Sequence, residues 1–203
     1  MIVIFIVFVT FLSFNLRLLD PRKQIVFLDV HGDSTLIKDS FDQCNILIDT
    51  GDVDQYDTVN KYILSKNISR IDYLIVSHFH SDHYGETQDM YQNLNIENLI
   101  TKENVDNFDS SLISCGSLSF YIYDLSYKAE NENNNSMVVS VFIEGKHYLF
   151  MGDSEFERET EFLDLYNIDV DYLKVGHHGS ITSSSQTFLK AINPEQAFIM
   201  VHR

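Results

Sequence analysis

The chain has 203 residues, of which 44% are hydrophobic and 22% are charged, a composition that suits one globular domain with a sizeable core. Lysine and arginine number 14 against 30 aspartates and glutamates, which gives a formal net charge of −16. This balance excludes a general nucleic-acid coat protein, because such proteins hold phosphates through clustered cations. It leaves open an enzyme that meets phosphate through bound divalent metal ions.

The first 19 residues are apolar apart from a few positions. Residues Met1–Phe14 are interrupted only by a threonine and a serine, and the apolar character continues to Leu19 around Arg17. A membrane span needs roughly 20 apolar residues. We therefore predict that residues 1–19 are a membrane segment or the remnant of a span, with a buried β-rich N-terminus as the alternative. Arg22 and Lys23 follow, and positive charge on that side favours a cytoplasmic flank.

A polar junction containing Pro21 separates this segment from the rest of the chain. Residues 20–23 form the predicted junction, and residues 24–203 form the predicted domain. The chain stops at Arg203, two residues after Ala197–Val201, an apolar run that predicts a strand. We expect the C-terminal end of the domain to be missing for this reason.

Short apolar runs alternate with amphipathic segments through the domain. Strands are predicted at Gln24–Leu28, Thr35–Ile37, Asn45–Ile48, Tyr73–Val76, Asn98–Ile100, Leu118–Tyr123, Met137–Ile143, His147–Phe150, Tyr172–Val175 and Ala197–Val201. Helices are predicted at Tyr56–Leu64, Thr87–Leu94, Glu155–Leu165 and Ser184–Ala191. This alternation, with its hairpins, predicts two sheets covered by helices, an α/β sandwich.

Two further features have plain interpretations. The asparagine-rich stretch 130–135 is predicted to be a solvated loop by its composition. Cys44 and Cys115 are far apart and have no CxxC spacing, so they predict neither a disulfide framework nor a zinc knuckle.

Three histidines and an aspartate follow one buried strand within six positions. His78 and His80 are two residues apart, so an extended backbone projects both from one face, as a shared metal requires. Asp82 and His83 follow where the chain must turn, and they can reach a second metal beside the first. Imidazole and carboxylate ligands suit zinc, and also manganese or iron. The alternative, a polar surface loop, does not account for this spacing.

The His-x-His-x-Asp-His pattern resembles that of the metallo-β-lactamase superfamily. Further segments narrow the resemblance to the β-lactamase-like domain of the ComEC competence proteins. These segments are Phe27–Ser34, Leu47–Gly51, Asn134–Ser136, Met151–Asp153 and Leu173–Ser180, in the family's order. The resemblance implies an αββα sandwich that lacks its C-terminal end here and carries a short hydrophobic segment before it.

The resemblance also implies two divalent metal ions, zinc or manganese, and a set of ligands. His78 and His80 would hold one ion, and Asp82 and His83 the other. Asp153 would bridge both ions. One of His177 and His178 would complete the set.

Of this histidine pair we predict His177 as the ligand, because neighbours on a strand point to opposite faces. His178 is then expected to act in the second coordination layer or to face the substrate. Asp49 resembles the aspartate that orients the histidine-rich loop, a role such outer partners commonly have. The residues expected to act in catalysis are Asp82, Asp153 and His178.

The function that the resemblance implies is hydrolysis of a phosphodiester, with DNA as the substrate during DNA uptake. The domain would be attached to a bacterial cell membrane through residues 1–19 and would work beside a separate channel protein. One alternative is a small-substrate hydrolase similar to phosphorylcholine esterases, which the acidic composition favours. The other is a non-catalytic remnant of a larger competence protein.

Two departures from the family pattern bear on these expectations. The family usually has Asp-Val-Gly-Gln-Gly-Asp where this chain has Asp29-Val30-His31-Gly32-Asp33, one residue shorter and with a histidine. The geometry of the first hairpin is therefore open. The family also continues past the last strand with a Tyr-Gly-His-Pro segment that contributes to the edge of the site.

Overall fold

The computed structural model describes Ile6 and residues 20–107, 112–123, 125 and 128–201. The predicted segment 1–19 lies, apart from Ile6, outside these residues. Among the residues described, no helix is long and apolar enough to cross a membrane.

Two sheets form the centre of the fold. The first has five strands in sequence order: β1 (Gln24–Phe27), β2 (Thr35–Lys38), β3 (Asn45–Ile48), β4 (Ile71–Ile75) and β5 (Ile96–Ile100). The second has the order β11-β10-β9-β8-β7-β6, with β6 (Ile113–Cys115), β7 (Leu118–Ile122), β8 (Val139–Ile143), β9 (Lys146–Phe150), β10 (Tyr172–Lys174) and β11 (Gln196–Phe198). Within each sheet antiparallel hairpins give way to parallel strands, β3 to β5 in one and β9 to β11 in the other.

Helices cover the outer faces of both sheets. They are α1 (Tyr56–Ser65), α2 (Ser81–Tyr84), α3 (Thr87–Asn93), α4 (Phe156–Leu165) and α5 (Gln186–Ile192). Alternation along each strand divides its side chains between two apolar layers. In β3, Ile46 and Ile48 face the second sheet, while Leu47 packs with Val59 and Ile63 of α1. The predicted αββα sandwich is confirmed, because each sheet buries one face on the other sheet and one on helices.

Most predicted elements are confirmed to within one or two residues. Strand β6 was not predicted, and α2 forms a short helix where only a turn was expected. Strand β6 pairs with β7 in a tight hairpin, and α2 begins directly after His80.

The two cysteines form a disulfide, which corrects the expectation from their spacing. Cys44 lies just before β3 and Cys115 at the end of β6, so the bond joins the two sheets. Nearby, the buried carboxylate of Asp39 accepts hydrogen bonds from the backbone N–H and the hydroxyl of Ser117, at 2.6 and 2.7 Å. The two cysteines are 71 positions apart in sequence, so their pairing could not be predicted before the fold was known.

Candidate metal centre

The predicted ligands gather at the edge where the parallel strands of both sheets end. His78, His80, Asp82 and His83 follow β4, Asp153 follows β9, and His178 follows β10. Carboxyl ends of parallel strands commonly carry the site in open α/β sheets.

Four side chains form a compact group. The Nε2 atom of His83 lies 3.1 Å from Oδ1 of Asp153, and Nε2 of His178 lies 3.1 Å from Oδ2 of Asp82. His178 Nε2 is also 3.5 Å from Oδ2 of Asp153. One ligand atom from each of the four residues lies within 4.8 Å of all the others. We call this set the four-ligand group.

His78 and His80 lie beside this group. The ring centroid of His78 is 4.3 Å from that of His83 and 4.8 Å from that of His80. His78 is buried, whereas His80 is exposed. The six residues therefore form one continuous patch of imidazole and carboxylate groups.

The donor set fits divalent metal ions. Within the described part of the chain, Nε2 of His78, Nε2 of His83 and Oδ1 of Asp153 are buried without a well-aligned hydrogen-bond partner. Buried polar atoms are normally satisfied, so three such atoms on neighbouring side chains fit a site that binds a cation. Imidazole nitrogens and carboxylate oxygens are the ligands that zinc and manganese take.

Ionisation also distinguishes the histidines. Burial and the nearby His83 lower the pKa of His78 to about 3, so this ring is neutral at neutral pH. Burial opposes the charged form of His83, but the nearby carboxylates of Asp49 and Asp153 raise its pKa well above the usual value. The lowered pKa leaves the ring of His78 free to bind a cation at neutral pH, whereas a cation that binds His83 competes with a proton.

The pKa values of the remaining members of the four-ligand group are also shifted. Hydrogen bonds to Asp33 and Asp82 raise the pKa of His178 to about 10. The bond from His178 lowers the pKa of Asp82 to about 2. Burial disfavours the charged form of Asp153, but His83 keeps its pKa well below the usual range. The carboxylates are ionised and require positive charge beside them.

Asp49 holds the histidine-rich segment from behind. It adopts a positive φ of 61°, and its carboxylate accepts hydrogen bonds from the N–H and the hydroxyl of Ser77 at 2.7 and 2.9 Å. Its Oδ2 is also 2.9 Å from Nδ1 of His83. Asp49 therefore fixes the ring whose other nitrogen faces Asp153.

The turn between β1 and β2 packs closely against the histidine-rich segment. Gly32 has φ of +87°, and a Cβ atom there would lie 1.9 Å from the carbonyl oxygen of Asp82. The N–H of Asp33 donates to that oxygen at 2.9 Å. Glycine is required for so close a backbone approach, and the shortened motif retains it.

The structure places His178, rather than the predicted His177, in the four-ligand group. Residues His177–Gly179 form a 3₁₀ turn in which both histidines have positive φ, so the alternation expected of a strand does not apply. His177 turns away, and its Nδ1 lies 3.0 Å from Oε1 of Glu155. His178 also has its Nδ1 3.1 Å from the carbonyl oxygen of Met200.

The asparagine-rich stretch is a structured wall of the site, which corrects its interpretation as a solvated loop. Asn133, Asn134 and Asn135 are buried in a 3₁₀ turn. Asn133 and Asn134 bond to the start of α4, through Glu155 and Glu157. Composition missed this because Asn133 and Asn134 bond to residues more than 20 positions away in sequence.

The family of the chain follows from this fold and site. Residues 28–108 and 127–201 match the model of the metallo-beta-lactamase superfamily. The chain belongs to this superfamily.

Three curated proteins, two of them with names that concern competence or recombination, are similar in sequence to this chain. ComE operon protein 3 of Bacillus subtilis is 26% identical over 94% of this chain and 30% of its own length. Competence protein ComA of Neisseria gonorrhoeae is 29% identical over 75% of this chain and 23% of its own length. Recombination protein 2 of Haemophilus influenzae is 28% identical over 90% of this chain and 25% of its own length. The chain spans less than a third of each relative, and the ComEC-like resemblance is confirmed.

Solved structures show the same fold. The metallo-beta-lactamase fold protein YhfI of Bacillus subtilis superposes with a TM-score of 0.56 at 12% identity, covering 89% of each chain. The metallo-beta-lactamase SMB-1 gives 0.54 at 15% identity, covering 79% of this chain and 82% of its own.

Proposed function

We propose that this chain is a metal-dependent phosphodiesterase that cleaves DNA during DNA uptake. The observation that carries the proposal is the four-ligand group at one edge of the sandwich, with the rings of His78 and His80 beside it. The substrate is supported by the relatives, whose names concern competence and recombination.

Two divalent ions would occupy the site. Asp82, His83, Asp153 and His178 would hold one, and His78 and His80, with Asp153, would hold the other. When bound, such ions supply a water of lowered pKa and polarise a phosphoryl oxygen.

The residues of the chain contribute orientation and charge. Asp49 fixes His83 through its Nδ1 atom, and the carbonyl oxygen of Met200 faces Nδ1 of His178. Ser136 Oγ accepts the N–H of Asp153 at 2.9 Å, which sets the backbone of that aspartate. These contacts direct the nitrogen and oxygen ligands toward one place before any substrate arrives.

The acidic composition supports a second candidate, a hydrolase of small phosphodiesters. With a formal net charge of −16, long-range attraction for a DNA strand is poor. A small diester needs contact only with the metal centre and is less affected by this charge.

One comparison separates these candidates. The full chain, purified in detergent and loaded with manganese or zinc, is assayed on a single-stranded DNA oligomer, a DNA duplex, bis-p-nitrophenyl phosphate and a phosphorylcholine ester. We expect DNA to be cleaved at the higher kcat/KM, and Asp153→Asn to abolish cleavage while Asp89→Asn, an exposed aspartate of α3, leaves it unchanged. Faster turnover of the small substrates would favour the second candidate, and no turnover of any would favour a non-catalytic remnant.

The proposed location is a bacterial cell membrane, with residues 1–19 as the attachment. The Cys44–Cys115 disulfide supports a position on the oxidising side, because disulfides persist there and are rare in the cytosol. This opposes the cytoplasmic flank favoured by Arg17, Arg22 and Lys23. Protease added to spheroplasts is expected to digest the domain, and full protection would contradict this orientation.

The proposal also includes a channel partner that transports the DNA, since names of the relatives concern competence and recombination. Co-purification of the full chain with such a channel from a competent cell would support it.

A further inference from the structure

A buried lysine lies directly behind the metal centre. Lys174, in β10, is 5% exposed, and its ammonium donates a hydrogen bond to the carboxylate of Asp33, which is 3% exposed. The ammonium is also 3.4 Å from the carbonyl oxygen of Gly152. Asp33 precedes β2 in the first sheet and Lys174 belongs to the second, so the pair joins the two sheets.

Asp33 faces the imidazole nitrogens that point away from the four-ligand group. Its Oδ1 lies 3.5 Å from Nδ1 of His178, a nitrogen that is also 3.1 Å from the carbonyl oxygen of Met200. Its Oδ2 lies 3.8 Å from Nδ1 of His83, whose nearer partner is Asp49 at 2.9 Å. The Nε2 atoms of both rings face Asp153. Partners of this second nitrogen fix the direction and basicity of metal-binding histidines.

The charge of Lys174 determines whether Asp33 can stay there. Asp33 lies close to a second buried carboxylate, Asp49, with His83 between them. Like charges this close destabilise each other when buried. Burial opposes the charged form of Lys174, but Asp33 and Asp153 outweigh it and raise the pKa of its ammonium. The ion pair thus holds the carboxylate of Asp33 beside His178.

We propose that Lys174 is a positioning residue, which acts through Asp33 to set the ring of His178 and so the metal affinity of the four-ligand group. The proposal rests on the metal centre of the proposed function and extends it to two residues outside the ligand set. Lys174 itself is too buried to reach substrate.

The test compares metal binding in the full chain and its variants. Cobalt(II) affinity is measured by competition with a chelator, together with the visible absorption spectrum of bound cobalt and the melting temperature of the metal-free protein. The variants are Lys174→Met, Asp33→Asn and the double variant. The control is Lys146→Met, because Lys146 pairs with Asp171 and Glu195 away from the site.

We expect each single variant to bind the first cobalt ion 10- to 100-fold more weakly, the range typical for loss of an outer partner. Each single variant leaves one buried charge without its partner and is expected to melt at a lower temperature. The double variant removes both charges and should recover stability, since replacing a whole buried ion pair by neutral residues is often tolerated. Its cobalt affinity and spectrum are expected to stay altered, while Lys146→Met matches the wild type.

A double variant that binds cobalt with wild-type affinity and spectrum, or whose metal-free form no longer folds, would overturn the proposal. Lys174 and Asp33 would then serve the core alone. A wild-type protein that binds cobalt but cleaves no phosphodiester would end the proposed function and leave this inference standing.

Discussion

The two halves of the metal centre differ in ligand number, burial and support. The four-ligand group has two histidines and two carboxylates within 4.8 Å, and Asp49 and Asp33 stand behind its rings. His78 and His80 offer two imidazoles, of which His80 is exposed. Because affinity grows with ligand number and with fixed orientation, the first position should bind its ion more tightly than the second.

Replacing His178 should have the largest effect on the difference in metal affinity between the two positions. His178→Ala removes one of four ligands, so we expect the tighter ion to be lost at micromolar metal. His80→Ala should affect only the weaker ion. Metal content by mass spectrometry, after dialysis against a graded chelator series, distinguishes the two. Equal loss of both ions in both variants would contradict unequal halves.

The pH dependence should follow the same division. Nearby carboxylates raise the pKa values of His83 and His178, whereas burial lowers the pKa of His78, so binding of the tighter ion is expected to displace protons. Its affinity should rise from pH 6 to 8, by about tenfold per pH unit for each proton displaced. Calorimetry in buffers of different ionisation enthalpy measures the proton count. A pH-independent first step would count against this assignment.

Asp49 should have an intermediate effect. Asp49→Asn keeps the size of the side chain but weakens its bond to Nδ1 of His83. We expect affinity for the tighter ion to fall about 10- to 100-fold. Asp72→Asn, at another buried aspartate that accepts a backbone N–H bond, is the matched control for stability. An Asp49 variant with unchanged affinity would show that the rings need no outer support.

His177 should have the smallest effect on metal binding. Its ring lies against Glu155 and Asn133, so His177→Ala should leave both affinities within about threefold of the wild type. A loss as large as that of His178→Ala would reverse the assignment within the histidine pair.

Some ligands of the site could be predicted from sequence and others could not, for a physical reason. His78, His80, Asp82 and His83 lie within six residues after a buried strand, so local geometry alone suggests a shared metal. Which of His177 and His178 is the ligand depends on a turn in which both residues have positive φ. The side-chain alternation of a strand does not predict such a turn. The place of Lys174 against Asp33 depends on contact between two sheets.

The fold, too, could be predicted from sequence only where local patterns determine it. The periods of the strands and helices predicted the layers, because burial on one or two faces leaves a pattern in sequence. The Cys44–Cys115 bond and the buried asparagines depend on residues that meet only after folding. Removal of this bond, which closes a loop of more than 70 residues, is expected to cost about 4 kcal/mol of stability. Urea unfolding of Cys44→Ala/Cys115→Ala measures it.

The most direct test of unequal halves is a metal titration of the full chain followed by calorimetry. The account predicts two sequential ions, the first tighter and released with protons, and lost in His178→Ala. Two equal ions, or none in a folded sample, would contradict it.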